Sequence, residues 1–106
     1  MTDVQAAIDN LVKTNDVVLF MKGDADQPMC GFSATVVRIL DLVGVPFKDI
    51  NVMQSMEVRE GIKTYSNWPT IPQLYVKGEF VGGCDIIKEM YEAGELTELF
   101  QEKGLA

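Results

Sequence analysis

Histidine is missing altogether from this chain of 106 residues, and that absence removes whole classes of chemistry. Ser-His-Asp triads, Cys-His nucleophile pairs and histidine-ligated zinc all need an imidazole. Cysteine is scarce: Cys30 and Cys84 are the only two, too few for the disulfide framework of a small secreted domain. They leave three readings open: a bridge, a reactive thiol with a bystander, or two bystanders. Basic residues are few, nine Lys and Arg against sixteen Asp and Glu, for a net charge of −7. Binders of nucleic acid or of an anionic membrane surface need the opposite field, so neither partner is expected. An anionic ligand would have to be caught by locally placed cations and backbone N–H groups. Long apolar runs are absent too, the longest being about five residues, against the roughly 20 that cross a bilayer. The opening MTDVQAAIDN has no basic or apolar segment of a secretory signal. The expectation is a soluble protein of a reducing compartment: the cytoplasm, or the mitochondrial matrix or a plastid if this is a processed eukaryotic form.

What is present suffices for one core. With 47% hydrophobic and 24% charged residues, the chain is expected to fold as a single domain over residues 1–106 without disulfide staples. Val4, Ala7, Ile8, Leu11 and Val12 recur at helical spacing, and Thr2 with Gln5 makes a capping box before them. Val17 to Met21 is a continuous apolar run, expected as a strand buried on both faces. A helix carrying Val36, Ile39, Leu40 and Val43 on one face follows, closed by Gly44 and Pro46. Phe47 to Val52 reads as a weaker strand, and Val58, Ile62 and Tyr65 as a third helix despite Gly61. Leu74 to Val76 and Glu79 to Val81 flank the hairpin signal Lys77-Gly78. Ile86, Ile87, Met90 and Tyr91 mark a helix closed by Gly94; Leu96, Leu99 and Phe100 mark the last. The order α-β-α-β-α-β-β-α-α implies a mixed four-stranded sheet covered by helices. In such sheets a ligand site lies beyond the carboxyl end of a central strand, here the loop from Lys22 to Cys30.

Cys30 follows that loop and directly precedes a helix. A helix N-terminus offers free N–H groups and partial positive charge, both of which favour thiolate over thiol. A buried, inert cysteine is the plainer alternative. Ser33 occupies the second cysteine position of a C-x-x-C motif, where a serine closes no disulfide. A reactive Cys30 must therefore work with a thiol from elsewhere, either Cys84 or a small molecule. Phe32 reads as core or as a bulky screen beside the thiol; Trp68 and the six methionines read as core.

Cys30-Gly31-Phe32-Ser33 resembles the CGFS signature of monothiol glutaredoxins. It comes with Lys22-Gly23 upstream, then Trp68-Pro69-Thr70-Ile71-Pro72-Gln73-Leu74, and Gly82-Gly83-Cys84-Asp85, four blocks in order across nearly the whole chain. The loop Asp24-Ala25-Asp26-Gln27 keeps only the outline of the family pattern, and its two acids are expected to weaken local attraction for an anion. The resemblance implies a thioredoxin-like α/β fold and a glutathione site. Lys22 would take the tripeptide's glycine carboxylate, with Arg59 as a bidentate second cation and Lys63 on the same helix face; a solitary Lys22 reads equally as solvated surface. Thr70, Ile71 and Pro72 resemble the family's cis-proline turn, which frees the main chain of Ile71 to pair with an extended peptide; a simple strand-start proline is the alternative. Gly83, Cys84 and Asp85 would present N–H groups to a carboxylate. The Asp85 side chain would meet an α-ammonium or serve as an N-cap.

The family resemblance further implies that Cys30 ligates a 2Fe–2S cluster shared with a second protomer, two glutathione thiolates completing the four soft ligands. The chain is then expected as a cluster carrier in iron–sulfur assembly and iron homeostasis, a homodimer when cluster-bound and a monomer when apo. Its partners would be BolA-like proteins, which would bring the histidine missing here, and apo iron–sulfur clients. The alternative is an enzyme, a glutathione-dependent thiol–disulfide oxidoreductase working through Cys30, with weak activity in this family.

Overall fold

In the computed structural model, which describes residues 2–106, the chain runs α1 (Asp3–Thr14), β1 (Val17–Met21), α2 (Gly31–Val43) and β2 (Lys48–Asn51), then a 3-10 turn (Val52–Gln54). It continues through α3 (Met56–Ser66), β3 (Gln73–Val76), β4 (Glu79–Gly82), α4 (Cys84–Glu92) and α5 (Glu95–Glu102). The order is the expected one, with the 3-10 turn added. That turn carries no apolar period to announce it. It forms because the Asn51 side chain accepts the N–H of Met53 at 2.9 Å.

The sheet order is β2-β1-β3-β4, with β1 parallel to β2 and β3 antiparallel to both β1 and β4. This is the mixed four-stranded sheet of the thioredoxin-like fold. All five residues of β1 are buried, because the strand has a neighbour on each side and helices over both faces. Its side chains alternate between two cores. Val17, Leu19 and Met21 pack with Val36, Leu40, Ile87 and Phe100 from α2, α4 and α5. Val18 and Phe20 pack with Ile8, Val12 and Ile62 from α1 and α3.

Gly61, a poor helix former, sits inside α3 because α1 lies against it. A Cβ there would stand 3.2 Å from side-chain atoms of Val4 and Ile8. Gln5 also donates to the Gly61 carbonyl at 2.8 Å. The capping box is therefore half made: Thr2 accepts the N–H of Gln5, but the Gln5 amide reaches across to α3 instead of back. Gly44 caps α2 in the left-handed conformation, as expected. The methionines do not form core as a group. Met21 is buried and Met90 packs against the α2–α4–α5 core, but Met29, Met53 and Met56 are exposed; Met1 lies outside the described residues. Phe32 is likewise exposed, not core.

Candidate functional site

Cys30 is the N-cap of α2, with extended backbone and no side-chain capping bond of its own. Its sulfur therefore faces the unsatisfied N–H groups of the first helical turn. These hold the thiol below its usual range. The Ser33 backbone N–H is the largest cause, opposed by partial burial and reinforced by the Phe32 N–H, the charge of Lys22 and the Ser33 hydroxyl. Ser33 is fully buried, and its Oγ also accepts the N–H of Lys22 at 3.1 Å. The serine in the second position thus ties the end of β1 to the start of α2 beside the sulfur.

Cys84 is a free thiol as well, but its surroundings act in the other direction. Burial is the main cause and the neighbouring Asp85 carboxylate adds to it, so this thiol is held above its usual range. One lowered thiol and one raised thiol line the same groove.

The loop between β1 and Cys30 is built, not slack. Gly23 and Pro28 pair as an antiparallel bridge, Lys22 O accepts the N–H of Met29, and Gln27 O accepts that of Asp24. Gly23 has φ +83°, and a Cβ there would collide with the Gln27 carbonyl and Met29; glycine is required at this position. The Asp24 carboxylate accepts the N–H groups of Asp26 and Gln27. It is a turn builder, and its charge is spent on the turn as much as on any ligand field. From β2, Asp49 Oδ2 accepts the Ala25 N–H at 2.8 Å and Asn51 Oδ1 that of Gly23 at 3.1 Å. Sequence reasoning missed these two clamps, since an Asp and an Asn on an edge strand carry no signature of their own.

A groove of about 450 Å³ opens at this end of the sheet, and all ten residues singled out in the sequence line it. Cys30 lines it and is half-buried. Lys22, Arg59 and Lys63 supply a cationic wall, with Lys63 also paired to Glu60 at 2.9 Å. Thr70, Ile71 and Pro72 form a second wall, and the Ile71–Pro72 peptide is cis, as the turn's resemblance implied. Gly83, Cys84 and Asp85 form the third. Here Gly83, not Asp85, is the N-cap of α4, so the Asp85 carboxylate does not cap the helix and remains exposed at the groove.

Trp68, read as core, lines the groove instead. Its indole packs on Phe80 at 5.8 Å between ring centroids, and its Nε1 is buried without a partner among the described residues. A Cβ at residue 83 would stand 3.3 Å from that nitrogen and from the Pro72 carbonyl, so a side chain there would press the two walls apart by a few tenths of an ångström. Buried Gln73 holds the turn by donating to the carbonyls of Trp68 and Thr70. The groove thus gathers three cations, the start of α4, a carboxylate and a lowered thiol, a set that suits a ligand carrying both anionic and cationic groups. No group of three His, Cys, Asp or Glu side chains gathers to hold a metal among the described residues. No helix among them is long and apolar enough to cross a membrane.

Comparison with known proteins places this site in context. The family model described as Glutaredoxin matches residues 17–81. A protein of Synechocystis sp. called a monothiol glutaredoxin, ycf64-like, is 54% identical over 93% of this chain and 92% of its own length. The chloroplastic monothiol glutaredoxin-S14 of Arabidopsis thaliana is 57% identical over 86% of this chain and 53% of its own. The solution structure of reduced apo GrxS14 from poplar superposes with a TM-score of 0.84 at 48% identity, covering 97% of this chain and 94% of that one.

Proposed function

The chain belongs to the glutaredoxin family, in its monothiol branch, and from that premise we propose that it binds glutathione and, with it, carries a 2Fe–2S cluster to recipient proteins. The observation that carries the reading is the division between the two sulfurs: Cys30, its thiol lowered, lines a groove whose other thiol, Cys84, is raised. Such a site has one soft ligand to give. A 2Fe–2S cluster takes four, so a second protomer and two glutathione thiolates make up the number, and the cluster-bound form is a homodimer. Two exchangeable ligands make the cargo easy to release.

In this reading Lys22 and Arg59 hold the glycine carboxylate of glutathione, with Lys63 beside them. Ile71 pairs main chain to main chain with the cysteinyl residue at the Thr70–Pro72 turn. The N–H groups after Gly83 take the other carboxylate, and Asp85 faces the α-ammonium. Cys84 contributes its backbone. Recipients are apo iron–sulfur proteins, and BolA-like proteins are partners. The compartment is a reducing one, cytoplasmic unless the protein is a processed organellar form, and the whole chain works as one domain.

The depressed Cys30 thiol favours a second reading, thiol–disulfide exchange. The Cys30 thiolate attacks the glutathione sulfur of a mixed disulfide and releases the client's thiolate. A second glutathione thiolate then attacks the Cys30-bound sulfur, freeing Cys30 and glutathione disulfide. Ser33 plays no resolving part.

Anaerobic reconstitution with iron, sulfide and glutathione separates the two. The carrier reading expects one cluster and two glutathiones per two chains; colourless protein that rapidly reduces a glutathionylated peptide would leave the enzyme reading alone.

A further inference from the structure

Large apolar side chains are exposed at five positions among the described residues: Met29 (68%), Phe32 (62%), Leu42 (62%), Met53 (47%) and Met56 (67%). All but Leu42 fall in two short segments, 29–32 and 53–56, which the fold brings to the same edge. Asn51 is the link. Its Oδ1 accepts the N–H of Gly23 at 3.1 Å and of Met53 at 2.9 Å, while Lys22 O accepts that of Met29 at 2.9 Å. Met56 stands one turn before Arg59 and two before Lys63, on the face of α3 that lines the groove. Phe32 lines the groove from α2. Met29 and Phe32 thus flank Cys30 in the chain, and Met53 and Met56 lie across the Asn51 link from them. Exposed apolar groups that gather like this mark an interaction surface, unlike scattered ones, and unbranched thioether chains repack readily against differing partners.

Charge identifies the occupant. The cations at this end, Lys22, Arg59 and Lys63, line the groove, whereas Asp26, three residues before Met29, and Glu57, next to Met56, are exposed. An anionic small molecule and a cationic macromolecule thus find separate places. We propose that Met29, Phe32, Met53 and Met56, flanked by Asp26 and Glu57, form a docking surface for a partner protein segment that is both apolar and cationic. A second copy of the chain, with a net charge of −7 and the same acidic flank, is repelled. A homodimer at this edge is held by shared ligands and gives way to a cationic recipient that the rim itself attracts. The inference rests on the carrier reading only in calling that partner a recipient; the surface needs neither cluster nor glutathione.

The test uses the apo protein with 13C-labelled methionine methyls and two synthetic amphipathic peptides of equal length, one of Leu and Lys, one of Leu and Glu. The Leu/Lys peptide is expected to shift the methyl signals of Met29, Met53 and Met56 and to bind at least tenfold more tightly than the Leu/Glu peptide. Met53→Gln with Met56→Gln should weaken it about tenfold while leaving the remaining amide spectrum in place, and Asp26→Lys with Glu57→Lys should reverse the preference. Equal affinity for both peptides, or methionine methyl signals that stay in place while the Leu/Lys peptide binds, would overturn the proposal. So would movement of the same methyl signals on concentrating the protein alone, since a second copy would then be the occupant. Because no cluster or glutathione is present, failure here leaves the carrier reading standing, and failure of that reading leaves this result unaffected.

Discussion

Cys30 and Cys84 line one groove, yet the groups around each sulfur divide their roles. N–H groups of a helix start lower one, and burial beside a carboxylate raises the other. Cys30→Ser should abolish cluster binding and thiol exchange, while Cys84→Ser keeps most of both; iron and sulfide content of the two variants after reconstitution checks it, and equal loss would mean that Cys84 is a ligand. Ser33 argues at the same scale. Its buried hydroxyl fills the place of a second thiol and accepts the Lys22 N–H. Ser33→Cys should therefore close a disulfide with Cys30 on mild oxidation, read as the loss of two titratable thiols; a variant that keeps all its thiols would show that the turn holds the sulfurs apart. The contacts to charged ends of glutathione contribute roughly 1.5–3 kcal/mol each, so Lys22→Glu or Asp85→Ala should weaken glutathione binding about 10–100-fold by calorimetry.

Elements were legible in the sequence wherever a period or a cap announced them. The five apolar residues of β1, the 3.6-residue stripes of α1 and α2, the Gly44 stop and the Lys77-Gly78 turn each carry a local signal, and each stands where expected. What stayed hidden is long-range. Gly61 speaks against a helix until α1 is laid on it; Asp49 and Asn51 look like ordinary edge-strand residues until the loop 22–29 folds onto them. Most groove residues were legible through motif blocks, and Arg59 and Lys63 as cations on the third helix, but Trp68 and the exposed methionines were misplaced because hydrophobicity alone does not tell a core position from a rim. Asn51→Ala leaves two backbone N–H groups unpaired and should cost about 1–3 kcal/mol, visible in urea unfolding. Titration offers a second check on α3 and β3. Burial, with the Asp9 bond for Tyr65, raises the phenols of Tyr65 and Tyr75 to about 12. A raised folded pKa stabilises the fold fully below the unfolded value of roughly 10, and that contribution is lost as pH climbs towards 12. Phenolate absorbance from these two residues should appear only near that upper limit, and the unfolding midpoint should decline from about pH 10 upward.

At the scale of the molecule, a groove with one lowered thiol and a net charge of −7 describe, in the proposed reading, a protein that does not close a cluster site by itself and pairs with its own copy only through shared ligands. Both deficits are met by the same small molecule if glutathione supplies the missing ligands. Oligomeric state, colour and bound glutathione are then a single linked property. Gel filtration with visible detection tests that link most directly, on protein reconstituted with glutathione, without it, and with its S-methyl analogue, which keeps every charged end and blocks the sulfur. A coloured dimer containing glutathione is expected in the first case and a colourless monomer in the other two. A coloured dimer that forms unchanged with the blocked analogue, and holds no glutathione, would contradict it.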